Sequence, residues 1–348
     1  MRRLVQGNEA VFLGALKAGA SFFAGYPITP SSEILVLAVE HAARGPAFKF
    51  IQSEDELAAA NAIIGASLAG AKSFTATSGP GFSLMQEAIG YGHQAEVPTV
   101  FVNVQRVGPA TGMPTMPAQQ DILQTKYGSS GDYYPLVFYP DSVEECYRYA
   151  VAAFNAAEES LSPVILLSDA FVGHLNETVN LDDIEVEVVP RSRLPLGTDK
   201  RTFTGLAHDE DGRPRTADAV VYQKWLYKVK ARHEQVAARY SYFEFQANAS
   251  SDTLLISYGI VSRVTAPLTS QFALFRPIRI LPMLGPELRQ CARNYEKIVV
   301  IEANDGQYAC LVECELKRDV IRVPLLGGRI NLDLAKKGLS EKLEREVS

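Results

Sequence analysis

Three short segments carry residue types that can do chemistry. In GYPITPSSE (25–33) two prolines flank Thr29 and restrict its backbone, and the PSSE that follows supplies serine caps and an acidic first turn for a helix. Such a turn either presents its residues to a ligand or serves only as a rigid cap. In SEDELAAANAIIGASLAGAKSFTATSGPG (53–81) three carboxylates, Glu54, Asp55 and Glu56, open a helix of small residues, followed by a strand and a glycine-rich turn. Small residues at helical spacing admit a second backbone or a flat ligand, whereas Asp and Glu in a first turn are also what the helix dipole favours. TSGPG lacks the Lys-Ser/Thr of a Walker loop and the GxGxxG of a dinucleotide fold, so it is a weak signal for an anion-binding turn. In NVQRVGPATGMPT (103–115) Arg106 directly follows an apolar strand. A guanidinium there suits bidentate capture of a carboxylate or phosphate, or a surface salt bridge.

The elements that must position these residues follow an alternating rhythm. Short apolar β-branched runs at 21–29, 47–52, 73–78, 98–104, 135–140 and 163–169 are separated by helical stretches such as 56–70 and 142–160. This is the pattern of a parallel sheet covered on both faces, whose ligands gather at the carboxyl ends of the strands. The first α/β domain is expected over residues 1–180. Residues 181–250 are charged and Pro-bearing, with no apolar strand pattern until a helical stretch near their end, and read as a linker or excursion. Residues 251–348 resume the alternation, with strands expected at 252–260, 276–283, 297–304 and 319–326.

Composition bounds the function. The 348 residues are 47% hydrophobic and 21% charged, a globular profile with room for two cores. With 34 Lys+Arg against 40 Asp+Glu the formal charge is −6, and no basic block offsets it, so no nucleic-acid partner is expected. The apolar residues of the N-terminal stretch are interrupted by Gly7, Asn8, Glu9 and Lys17, which reads as a strand or helix entry and not as a signal peptide. No run reaches the roughly 18 apolar residues of a membrane span, so a cytoplasmic location without membrane contact is expected. Cys146, Cys291, Cys310 and Cys314 are too scattered for a disulfide framework, and the Cys310/Cys314 pair reads as half-buried core thiols on one helix face. The five histidines, at 41, 93, 174, 208 and 233, show no ligand spacing and read as satisfied or solvent-facing, while Trp225 reads as linker packing onto the second domain.

Taken together, YPITPSS, the run ELAAANAIIG from Glu56, TATSGPG, and Arg106 in VQRVGPATGMPT resemble the alpha subunit of the 2-oxoacid:ferredoxin oxidoreductases, most closely its 2-oxoglutarate branch. TGLAHDEDGRP (204–214) and VVIEANDGQYACLVECEL (299–316) agree with later parts of the same family, so the resemblance covers nearly the whole chain. It implies a thiamine-diphosphate-binding α/β fold, a pyrimidine-type domain followed by a transketolase C-terminal-like domain. It also implies that Glu56, which alone keeps the family's nine-residue interval to a helix glycine (Gly65), bonds the aminopyrimidine ring and activates the thiazolium carbon. Tyr26, Pro27, Ile28, Thr29, Ser78 and Gly79 are implied as further cofactor contacts. Thr29 and Arg106 are implied as holders of the 2-oxoacid carboxylate. Lys126 and Tyr127 are candidates for a distal carboxylate, against the reading of an exposed helix end.

The resemblance also distributes the cofactor between chains. The family's diphosphate and Mg2+ need a GDG with a later Asn, and GDY (131–133), EDG (210–212) and NDG (304–306) do not supply it; nor is there a CxxCxxC cluster. No metal ligand is therefore assigned to this chain. Mg2+, the diphosphate and a [4Fe-4S] cluster are expected in a beta subunit; the gamma-type domain that some relatives carry ahead of this region is not expected here, and a separate gamma subunit is a possible further partner. The implied reaction converts a 2-oxoacid, coenzyme A and ferredoxin to acyl-CoA, carbon dioxide and reduced ferredoxin, or runs in reverse as a carboxylation. An alpha subunit acting on 2-oxoisovalerate or pyruvate is the alternative within the family, and a non-enzymatic nucleotide-binding regulatory protein the alternative outside it.

Overall fold

The computed structural model describes residues 2–198 and 200–347. Its larger sheet runs in the order Arg279–Leu281, Leu136–Phe138, Pro163–Asp169, Thr99–Val107, Ser73–Thr77, Phe22–Gly25, Lys49–Gln52, with Met113–Pro117 paired to Thr99–Val107 beside this path. The six strands expected between residues 21 and 169 are all present and pair in parallel. Every residue of Ser73–Thr77, Thr99–Val107 and Pro163–Asp169 is buried, as a sheet covered on both faces requires. Thr99–Val107 lies centrally, parallel to Ser73–Thr77 on one side and Pro163–Asp169 on the other, so its carboxyl end, with Arg106, opens where both flanking strands also end.

Local chemistry sets the helix starts. Asp55 caps Glu56–Leu68 by accepting from Ala58 N at 2.7 Å, and Ser142 caps Val143–Ser160 by accepting from Glu145 N at 3.3 Å. Asp169, the last residue of its strand, accepts from the amides of Phe171 and Val172 at 2.9 and 3.0 Å and turns the chain into Ala170–His174. The serine caps expected in PSSE take another form. Ser31 Oγ donates back to the Ile28 carbonyl at 3.0 Å, and Glu33 accepts from Asn8 Nδ2 at 2.9 Å.

The second sheet has the order Phe243–Gln246, Ala273–Pro277, Thr253–Ile256, Lys297–Glu302, Ile321–Pro324, parallel except for its first strand. Two strands depart from the expected partition. Phe243–Gln246 lies within the segment read as a linker, yet it forms this sheet's edge. The single strand expected at 276–283 divides, and Arg279–Leu281 crosses back to pair antiparallel with Leu136–Phe138 of the first sheet. The helix Ala219–Arg239 also lies against the first sheet's layer, since Arg232 Nε donates to Ser160 O and its Nη1 reaches Glu96, each at 2.7 Å. Trp225 is therefore buried beside His93 and His208, and its expected packing on the second domain is corrected by the side of the sheet this helix takes. His93 and His233 are both buried, with ring centroids 5.0 Å apart, and His93 Nδ1 lies 2.8 Å from Ser162 Oγ. Cys310 is half-buried and Cys314 exposed on Gln307–Leu316. Among the described residues no helix is long and apolar enough to cross a membrane.

Candidate active site

The YPITP turn leaves the end of Phe22–Gly25 with the carbonyls of its last three residues individually held. Ile28 O accepts from Ser31 N and Ser31 Oγ, each at 3.0 Å, Thr29 O from Arg106 Nη1 at 2.7 Å, and Pro30 O from Asn8 Nδ2 at 2.8 Å. Pro30, joined to Thr29 by a cis peptide bond, is buried, while Tyr26, Pro27 and Thr29 are exposed on this chain. Thr29 and Arg106, placed at strand ends by the sequence, thus meet directly, through the threonine's backbone carbonyl.

Of the three carboxylates at 54–56 only Glu56 is buried; Asp55 is spent on the cap and Glu54 is exposed. TSGPG closes over Glu56. A Cβ on Gly81 would lie 2.4 Å from Glu56 Oε1 and 2.2 Å from Thr77 Oγ1, so only glycine allows this approach. The hydroxyls of Thr77 and Ser78 are buried and have no hydrogen-bond partner among the described residues.

Arg106 opens onto a cleft of about 560 Å³ whose walls include Gly79, Ser83, Gln120, Asp121 and Gln307. Burial lowers the guanidinium's proton affinity, and the charges of Asp121 and Glu56 oppose that shift. Asp121 was not legible as a site residue. Its Oδ2 accepts from Asn103 Nδ2 at 2.9 Å and its amide donates to Gln105 Oε1 at 2.9 Å. Burial pushes its carboxyl up to about 6, against the opposing effects of the Asn103 bond and the Arg106 charge. Gln119 ties this segment to the second sheet. It exchanges bonds with Ala303 (backbone N to Ala303 O at 3.0 Å, Ala303 N to Oε1 at 2.9 Å) and donates from Nε2 to Tyr258 O at 2.7 Å. Gln307 adds a bond from its Nε2 to Gln120 O at 2.7 Å.

Lys126 and Tyr127 do not line this cleft. Tyr127 is 65% exposed and Lys126 stacks over its ring at 5.2 Å, the arrangement of an exposed helix end. Glu56, the partnerless hydroxyls of Thr77 and Ser78, and a turn stripped of side chain at Gly81 together fit the aminopyrimidine end of thiamine diphosphate, a flat ring rimmed with donors and acceptors.

Residues 13–244 match the family described as pyruvate flavodoxin/ferredoxin oxidoreductase, thiamine diphosphate-binding. The 2-oxoglutarate synthase subunit KorA of Archaeoglobus fulgidus is 43% identical over 321 residues, covering 89% of this chain and 90% of that protein. The solved 2-oxoglutarate:ferredoxin oxidoreductase from Magnetococcus marinus, with 2-oxoglutarate, coenzyme A and succinyl-CoA bound, superposes with a TM-score of 0.90 at 28% identity. The match covers 98% of this chain, which spans 65% of that one. A split-gene transketolase, at 12% identity and a TM-score of 0.59 over 97% of this chain, shares the fold.

Proposed function

The chain belongs to the pyruvate flavodoxin/ferredoxin oxidoreductase family, and from that premise we propose that it is the alpha subunit of a 2-oxoglutarate:ferredoxin oxidoreductase, active together with a beta subunit. The observation that carries this reading is the convergence of Thr29 and Arg106 at the strand ends, with Glu56 beneath the TSGPG turn and acting electrostatically on the same guanidinium. The reaction cleaves the C1–C2 bond of 2-oxoglutarate. Carbon dioxide leaves, the coenzyme A sulfur forms the thioester of succinyl-CoA with release of its proton, and two electrons pass singly to ferredoxin.

Thiamine diphosphate, when bound, supplies the nucleophilic carbon and the electron sink that a 2-oxoacid needs to lose carbon dioxide. Glu56 would hold its aminopyrimidine ring by a hydrogen bond at a ring nitrogen, with Tyr26, Pro27, Ile28, Thr29, Ser78 and Gly79 along its rim. Glu56, buried at the first position of its helix, is placed to accept and return a proton at that ring nitrogen. Arg106 binds and orients the substrate's C1 carboxylate. One of its nitrogens is committed to Thr29 O, so the guanidinium is already fixed before substrate arrives. Because this carboxylate is common to all 2-oxoacids, the pair orients the substrate and does not select its side chain. Mg2+, the diphosphate ligands and the [4Fe-4S] cluster belong to the beta subunit in this proposal, and the complex works in the cytoplasm, with a gamma subunit as a possible third chain.

The test is ferredoxin reduction by the complex reconstituted from this chain and its beta partner. The highest kcat/KM is expected with 2-oxoglutarate; a higher value with pyruvate or 2-oxoisovalerate overturns the substrate assignment. Calorimetry with the chain alone should show weak binding of thiamine diphosphate, and micromolar affinity without the partner overturns the divided site.

A further inference from the structure

Asp121 is a buried carboxylate that the mechanism above does not use, and it shares the Arg106 cleft. Its position is fixed on every side. Asn103 donates to Oδ2, Gln105 accepts from its amide, and its carbonyl accepts from Thr125 N at 2.9 Å and Thr125 Oγ1 at 2.6 Å. The preceding residues are anchored to the second sheet through Gln119 and Gln307. The charged and titratable groups that act on it or share its cleft are Arg106 on Thr99–Val107, Asp305 on the cleft wall and Tyr139, whose hydroxyl bonds Asp169, while Glu56 at the start of its helix acts on the same Arg106.

One guanidinium therefore already lies within the electrostatic reach of two buried carboxylates, Asp121 and Glu56, before any substrate is present. A 2-oxoacid docking its carboxylate on Arg106 brings a further carboxylate into the cleft that Asp121 lines. Like charges sharing a site raise the proton affinity of the one least able to stay ionised. Asp121 is that group: a single amide bonds its carboxylate, and burial already pushes it up to about 6 in the free protein.

We infer that Asp121 is a positioning residue that takes up one proton as the substrate carboxylate docks beside Arg106, making 2-oxoacid binding proton-linked. The neutral acid keeps one oxygen for Asn103 and offers its O–H to the cleft. At neutral pH the free site holds Asp121 as an anion, so the proton is drawn from solvent, and substrate affinity falls as the pH rises. The inference rests on the carboxylate-binding role proposed for Arg106.

The experiment measures KM and kcat for 2-oxoglutarate from about pH 6 to pH 8.5 in the reconstituted complex carrying wild-type, Asp121→Asn, Asp121→Glu or Arg106→Ala alpha subunits. Wild-type KM should climb with pH by up to about tenfold per unit, with kcat following a separate profile. Asp121→Asn, which keeps the shape without the titration, should give a KM that changes less than about twofold across the range, and Asp121→Glu should keep the slope with a displaced midpoint. A wild-type slope retained in Asp121→Asn overturns the inference, as does an undisplaced midpoint in Asp121→Glu if the asparagine variant fails to assemble. If Arg106→Ala leaves KM unchanged, the carboxylate site itself is misplaced. If it raises KM while Asp121→Asn titrates like wild type, only the proton linkage fails.

Discussion

Arg106 Nη1 donates to the Thr29 carbonyl at 2.7 Å across 77 residues of sequence. The bond joins the ends of two strands and makes the threonine's backbone, as well as its side chain, part of the candidate carboxylate site. Arg106→Lys keeps the charge but cannot span both Thr29 O and a carboxylate with a planar fork. A charge-assisted hydrogen bond contributes about 1.5–3 kcal/mol, so KM for 2-oxoacids should rise roughly tenfold in Arg106→Lys and about a hundredfold in Arg106→Ala. The rise should be uniform for 2-oxoglutarate, pyruvate and 2-oxoisovalerate. A loss confined to 2-oxoglutarate would make Arg106 the distal selector.

Glu56→Gln removes the proton acceptor at the helix start without changing its size. Turnover of the complex should fall by about two to four orders of magnitude, with the melting temperature nearly unchanged. Glu54→Gln, on an exposed side chain, should stay within a few-fold of wild type. Steady-state kinetics of the two variants side by side decide the assignment, and reversed effects would move the cofactor contact to Glu54.

Gly81→Ala places a methyl group where Thr77 Oγ1 and Glu56 Oε1 already sit. Overpacking of this kind costs about 1–3 kcal/mol. The melting temperature should drop by a few degrees, and thiamine diphosphate affinity of the complex, read by calorimetry, should weaken. Gly65→Ala makes a useful control, because nothing within 4 Å meets the added methyl group.

Acid should loosen the docking of Ala219–Arg239. Burial pushes His93 down to about 4 and His233 down to about 3, the latter helped by the charge of His93. Both are neutral in the folded protein and take up protons on unfolding near their ordinary pKa of about 6.5. Their contribution is therefore complete above that value and is lost as the pH falls from 6.5 toward 4, at up to about 1.4 kcal/mol per pH unit for each ring. Relative to His233→Phe, the wild type should lose stability between pH 7.5 and pH 5 in urea titrations. A constant difference between the two proteins across that range would contradict the assignment.

The parts of this molecule that could be read from sequence were those written in local patterns. The buried parallel strands show as short β-branched runs because both faces are covered, and the convergence of Thr29 with Arg106 follows from strand ends facing one edge. Asp121 was invisible because its role comes from burial and from Asn103 and Gln105, side chains on another element, while QQD itself has no periodic or spacing signal. Gln119 and its partners lie up to 185 residues apart. The return of Arg279–Leu281 to the first sheet was hidden for another reason. Three residues are too few to carry a strand pattern, and a register irregularity interrupts even those.

The three consecutive carbonyls of residues 28–30 have a consequence for mutational robustness. Their donors come from Ser31, Arg106 and Asn8, and each bond is made to main chain. The path of the turn is consequently indifferent to which side chain stands at position 28 or 29, so a library randomised there explores ligand contacts on a fixed template. The weak point lies elsewhere. Asn8 sits in the first turn of Gly7–Lys17, next to the strand Arg3–Gln6 that pairs with Asn176–Val179, so a fusion that disturbs that pairing reaches Pro30 without touching any residue of the cleft.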